Sequence, residues 1–237
     1  MPESTNVDAS FIRTRSALHA VAEHVLAAAR YRAAGRIGLT VTPGGFGTPP
    51  FGDDRRIVAV DGTDLVVGSG APGGTTDDAP ARAPLRTLAA AATLAGLPAP
   101  GGPADVYHLS TPCNPDAELT IDADAARRLA DWYALGDAAL RAWRTEIAAD
   151  APSDVTLWPE HADVAIRAAD INYGASPGDD YVAAPYLYVG PPAPPPDTPA
   201  SDGFWNASFG AFRTWDTIRS VDDAVDFLRE GRRRAAY

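Results

Sequence analysis

Glu160, His161 and Asp163 are three ionisable side chains packed into a four-residue stretch of Val155-Thr156-Leu157-Trp158-Pro159-Glu160-His161-Ala162-Asp163-Val164-Ala165-Ile166. In extended chain, residues two apart point to one face, so His161 and Asp163 can meet. A carboxylate beside an imidazole raises its pKa and fixes its tautomer, as a general base or a metal ligand requires. His161 is therefore the expected base, Asp163 its orienting partner, and Glu160 a metal or substrate ligand. The competing reading is a solvated strand edge with a surface His–Asp pair. Phase counting adds a constraint. Val155 and Leu157 share one parity, while Ala162, Val164 and Ile166 share the other. One uninterrupted strand cannot bury both sets on the same side, so a break or bulge is predicted at Trp158-Pro159-Glu160.

A second polar run is Gly174-Ala175-Ser176-Pro177-Gly178-Asp179-Asp180. Its Gly-x-Ser-x-Gly spacing imitates a hydrolase nucleophile elbow. The residue after the serine is Pro177, which has no N–H to serve an oxyanion, and no helical pattern follows. Pro177-Gly178 instead fits the centre of a type II turn. Asp179 and Asp180 then stand as ligand contacts for a substrate or hard cation, or as solvated turn acids. Trp158, Tyr188 and His19 complete the set of expected ligand contacts. Tyr186 and Tyr188 share one strand face, opposite Leu187 and Val189. His19 and His24 are five apart in the first helix, which is not the spacing of a helical metal pair. No metal-ligand signature appears. Cys113 has no basic neighbour to activate it. The Gly-rich run 43–50 lacks the Lys and the following helix of a phosphate loop, and reads as a turn or pocket rim.

The elements that must position these groups are readable in part. Asp8 and Ser10 are candidate caps for a first helix with Leu18, Val21, Ala22, Val25, Leu26 and Ala29 on one face, ending at Gly35. Residues 36–42, 56–60 and 64–67 alternate as strands, with a hairpin at Asp61-Gly62-Thr63. Pro84 is placed at the start of a helix to Gly96. A short strand is expected at 106–109. The longest helix begins near Asp122 and carries Ala125, Leu129, Trp132, Tyr133, Gly136, Leu140, Trp143 and Ile147 on one face. Further β segments are predicted at 154–158, 162–172, 185–189 and 208–215. Ser220 and Asp223 form a near capping box for a last helix. Segments 1–9, 68–83 and 190–203 read as flexible. The fold class is α+β: antiparallel sheets with helices on their apolar faces, in one domain over 1–237, with two helix–strands–helix halves as a possible duplication.

The chain has 237 residues, 46% hydrophobic, enough for a sizeable core. Its net charge is −11, and all 20 basic residues are Arg. Acidic surface repels phosphate backbones, so nucleic acid is not an expected partner. A single Cys rules out an internal disulfide, and no apolar run has the ~20 residues of a membrane helix. The first ten residues lack an apolar stretch, so no signal peptide is expected, and a cytoplasmic location is.

Leu157-Trp158-Pro159-Glu160-His161, Asn172-Tyr173-Gly174-Ala175-Ser176-Pro177-Gly178-Asp179 and residues 185–191 resemble a group of uncharacterised actinobacterial proteins. Residues 35–39 and 44–49 fit the same group. Leu18-His19, the 36–41 strand and Asp163-Val164-Ala165 are more remotely similar to a larger bacterial family of unknown function. That pattern has an aromatic where Ala162 stands. The resemblance implies no activity, substrate or cofactor.

Two functions are expected from these residues. One is a small-molecule or metal site around 158–180, with the cofactor unknown. The other is a noncatalytic interaction module using the Pro-rich 190–203 segment with Phe204, Trp205 and Phe209. Oligomeric state is not readable.

Overall fold

The computed structural model describes residues 7–69, 79–193 and 203–235. A helical run begins at Ala9–Val21 (α1), passes through a π-helical segment at Ala22–Ala27 and ends as Ala28–Ala34 (α2). Asp8 caps it, its Oδ1 accepting from the Phe11 N–H at 2.8 Å. The segment predicted flexible at 1–9 is thus ordered from its cap onward, and residues 1–6 lie outside the described residues. Every residue from Ala20 to Ala29 is buried. Burial of Val21, Val25 and Leu26 alone contributes several kcal/mol, at about 1.5–3 each.

Five strands follow as an antiparallel meander: Thr40–Thr42 (β1), Gly45–Gly47 (β2), Arg56–Asp61 (β3), Asp64–Ser69 (β4) and Ala81–Pro84 (β5). The predicted hairpin pairs Asp61 with Asp64 around Gly62-Thr63. Gly62 sits there at φ +62°, a conformation that costs it no Cβ clash. Several expectations change here. Residues 81–83 form an edge strand rather than a flexible loop, while 70–78 lie outside the described residues. Pro84 ends that strand instead of opening a helix. The helix is Leu88–Leu94 (α3), capped by Thr87, whose Oγ1 accepts from Ala90 N–H at 3.1 Å. Residues 106–109 form no strand.

The long helix is Ala123–Glu146 (α4), with Asp122 Oδ1 accepting from Ala125 N–H at 2.9 Å. Its predicted apolar face is buried throughout. A second five-stranded antiparallel sheet comprises Thr156–Trp158 (β6), Asp163–Ala168 (β7), Ile171–Ser176 (β8), Tyr186–Gly190 (β9) and Ala211–Thr214 (β10). The stretch predicted as one β region at 162–172 is the β7–β8 hairpin. Ala169 and Asp170 turn it with φ of +46° and +63°. Val221–Ala235 (α5) closes the chain, with Ser220 Oγ accepting from Asp223 N–H at 3.1 Å.

The α+β class and the antiparallel sheets are as the sequence implied. By its internal contacts the chain divides into two compact units. The first holds Asp8–Asp131 and Leu157–Ala162; the second holds Val7, Trp132–Thr156 and the described residues from Asp163 onward. In the second unit, Gly136 of α4 lies against β8 so closely that a Cβ there would come within 2.5 Å of the Ala175 Cβ. The Trp132 indole N–H donates to the Ser176 carbonyl at 2.8 Å, fixing the end of β8.

Candidate functional site

The site is built first by the Trp-Pro-Glu-His turn. Leu157 exchanges two backbone hydrogen bonds with Leu39, at 2.7 and 3.0 Å. The chain then leaves strand geometry after Trp158 and regains it at Asp163, as the parity of the apolar residues required. His161 N–H donates to the Trp158 carbonyl at 3.3 Å, closing a β-turn with Pro159 at its second position. Proline's fixed φ suits that position.

Two side chains of the first unit hold this turn. His19 Nε2 lies 2.8 Å from the Pro159 carbonyl, and Ser110 Oγ donates to the Glu160 carbonyl at 2.6 Å. A carbonyl only accepts, so His19 Nε2 carries the proton and Nδ1 is left as a lone pair. That nitrogen has no hydrogen-bond partner among the described residues. Burial lowers the His19 pKa; Glu23 and the Pro159 carbonyl oppose the shift, while His161 and Arg15 add to it. His19 is thus a neutral imidazole near pH 7 with an open basic nitrogen.

Glu23 and His24 lie on the π-helical segment and are both fully buried. The Glu23 carboxylate accepts from Ser110 N–H at 2.9 Å, Thr111 N–H at 2.8 Å and Thr111 Oγ1–H at 2.5 Å. His24 Nδ1 accepts from Gly102 N–H at 3.1 Å, so its Nε2 bears the proton and donates to the Thr111 carbonyl at 3.0 Å. The grouping of Thr111, His24 and Glu23 has the composition of a nucleophile triad and the wrong tautomer for one. His24 offers Thr111 a hydrogen where a base would offer a lone pair. These residues act as a clamp that fixes the 101–111 loop to the helix.

That loop carries Tyr107. Its hydroxyl is buried and has no hydrogen-bond partner among the described residues, and the same is true of Glu160 Oε2. Burial raises the Tyr107 pKa, and the charges of Glu23 and Glu160 raise it further. The phenol therefore keeps its proton. His19, Tyr107 and Glu160 thus come from a helix, a clamped loop and a turn of one unit, each with an uncommitted polar atom.

The second unit holds the other expected residues, Asp163, Asp179, Asp180 and Tyr188. Asp163 opens β7, is 6% exposed and accepts from the Tyr188 hydroxyl. Asp179 Oδ1 accepts from Tyr181 N–H and Val182 N–H, both at 2.8 Å. Its Oδ2 accepts from the Tyr186 hydroxyl at 2.6 Å. The Tyr186 and Tyr188 rings lie 6.2 Å apart, and burial raises both phenol pKa values, helped by Asp179 and Asp163 respectively. Asp180 is exposed. Ser176 accepts from Gly178 N–H at 3.1 Å, holding the turn in which the elbow reading had already failed.

The structure therefore brings together His19, Glu160 and His161 in one unit, and Asp163, Asp179 and Tyr188 in the other. His161 is exposed, and its backbone N–H closes the turn. Trp158 is 38% exposed at the end of β6. Sequence reasoning missed Tyr107 and the Glu23–His24 clamp. One signal was present: an adjacent Glu-His pair inside an otherwise apolar ten-residue run, Ala20–Ala29. The π turn adds a residue to the helical repeat, which shifts the phase on which a 3.6-residue count relies.

The aromatics expected to dock a partner are half-buried. The Phe204 ring lies 5.6 Å from Phe227 and 5.1 Å from Trp205, with the Arg234 guanidinium 4.6 Å above it. Phe209 joins Tyr181, Tyr186 and Phe212. Residues 194–202 of the Pro-rich segment lie outside the described residues. Among the described residues, no three His, Cys, Asp or Glu side chains converge as metal ligands, and no helix is long and apolar enough to cross a membrane. Compared with family models, curated proteins and solved structures, the chain matches none. The resemblance of its motifs rests on the motifs alone.

Proposed function

We propose that the protein binds a small polar molecule at His19, Tyr107 and Glu160, with His19 as the proton acceptor if the ligand is transformed. The observation that carries this reading is that Tyr107 Oη and Glu160 Oε2 are two of several buried polar atoms without a hydrogen-bond partner among the described residues, and that the Glu160 charge acts on Tyr107. A buried polar group without a partner costs about 1–3 kcal/mol, more when charged. A ligand that supplies both partners recovers that cost on binding. His19 Nδ1 adds an acceptor whose tautomer is held by the Pro159 carbonyl. Exposed His161, beside Glu160, stands at the rim.

The test is a thermal-shift survey of purified protein against a metabolite and metal library, repeated with two variants. His19→Gln keeps a donor for the Pro159 carbonyl and removes the ring's lone pair. His161→Ala removes the rim. A ligand that stabilises wild type and loses most of its effect in His19→Gln supports the site. A ligand that stabilises His19→Gln as well as wild type binds elsewhere and refutes it.

A further inference from the structure

Glu160 and Glu23 are the two charges that bear on Tyr107, and among the described residues neither carboxylate has a basic side chain as an ion-pair partner. Glu23 is answered by three neutral donors, two backbone N–H groups and one hydroxyl. Glu160 Oε2 has no hydrogen-bond partner among the described residues. Most of the described carboxylates with a side-chain partner meet an Arg, so a carboxylate without one is unusual among them. The site therefore has a negative end at Tyr107 and Glu160.

Resting on the reading above, we infer that this end receives a ligand bearing a protonated nitrogen, a primary ammonium or a guanidinium, with Glu160 as its counter-ion. The open atoms suit that group. Glu160 Oε2 only accepts, the Tyr107 oxygen accepts once its own hydrogen is turned away, and His19 Nδ1 is a third acceptor. A ligand anion would meet two carboxylates and find one hydroxyl donor. A neutral amide would satisfy the hydrogen bonds and leave the Glu160 charge unanswered. The net charge of −11 also favours the approach of a cation.

The experiment uses three probes of matched shape: n-butylammonium, butyramide and butyrate. Their binding to the full chain is measured by titration calorimetry, alongside the library survey. Butylammonium should bind more tightly than either of the others. Glu160→Gln, which preserves shape, should weaken it by at least about tenfold, the loss of one charge-assisted hydrogen bond. Tyr107→Phe should weaken it less. If butyramide or butyrate binds as well, or if butylammonium is indifferent to Glu160→Gln, the cationic assignment is wrong. If no probe binds but a library ligand does and requires His19, the site stands and its ligand class falls. If neither probes nor library give a His19-dependent ligand, both readings fall.

Discussion

His19 anchors its ring through one nitrogen and leaves the other open. Desolvation holds its pKa below the ordinary 6.5, while the unfolded chain returns to that value. Between the two values the unfolded state binds more protons, so stability rises with pH across that window. This contribution is complete above 6.5 and drains away as the pH falls below it towards the folded pKa. The melting temperature of the wild type should therefore drop between about pH 7 and pH 5. In His19→Gln the slope should be shallower. Equal slopes in the two proteins would show that His19 titrates as it does in water. The other histidine on the same helical run has both ring nitrogens engaged, with Gly102 and Thr111. The two therefore differ in kind: His24 fastens a loop and His19 offers a site.

At the scale of elements, two features carry measurable energy. The β7–β8 turn places Ala169 and Asp170 in left-handed conformations. Ala pays for its Cβ there, whereas Asn tolerates the same backbone. Ala169→Asn should stabilise the protein by about 0.5–1 kcal/mol in urea denaturation; a loss of stability would mean the turn is not of this kind. Gly136 is the opposite case. It allows α4 to approach Ala175 of β8, and Gly136→Leu should cost about 1–3 kcal/mol or more through overpacking, despite the better helix propensity of Leu. A neutral result in the same assay would show that the helix can move away without penalty. The clamped 101–111 loop belongs to this scale too. It has no regular strand of its own, and Glu23 and His24 supply the order that a sheet would otherwise give.

At the scale of the whole molecule, neither compact unit is one continuous stretch of chain. The first unit borrows Leu157–Ala162 from beyond α4. Leu157 is fully buried there and bonded to Leu39, and Pro159 supplies the acceptor for His19. A fragment of residues 8–131 should therefore lack a cooperative melt and fixed near-UV circular dichroism. Its Leu39 backbone groups and its His19 N–H would lose their partners, along with about 1.5–3 kcal/mol of Leu157 burial. A fragment that melts as sharply as the full chain would show that the borrowed turn is dispensable.

The sequence by itself determined the elements whose signals are local. The caps at Asp8 and Asp122, the Asp61–Asp64 hairpin and the apolar face of α4 follow from side-chain hydrogen bonding, turn conformation and helical period. The break at Pro159 was also legible, because an apolar parity change cannot be buried by one strand. Only the tertiary structure decided what depends on distant partners. The Ala169-Asp170 turn lacks Gly or Asn, and the edge strand at 81–84 is made by pairing with β4, so neither announces itself locally. The site shows the same division. Glu160, His161 and His19 were visible as ionisable groups in apolar surroundings. That Asp163 would accept from the Tyr188 hydroxyl came from a contact between residues 25 positions apart, and that the Glu160 charge would act on a buried Tyr107 phenol depends on residues 53 apart, which no spacing rule encodes.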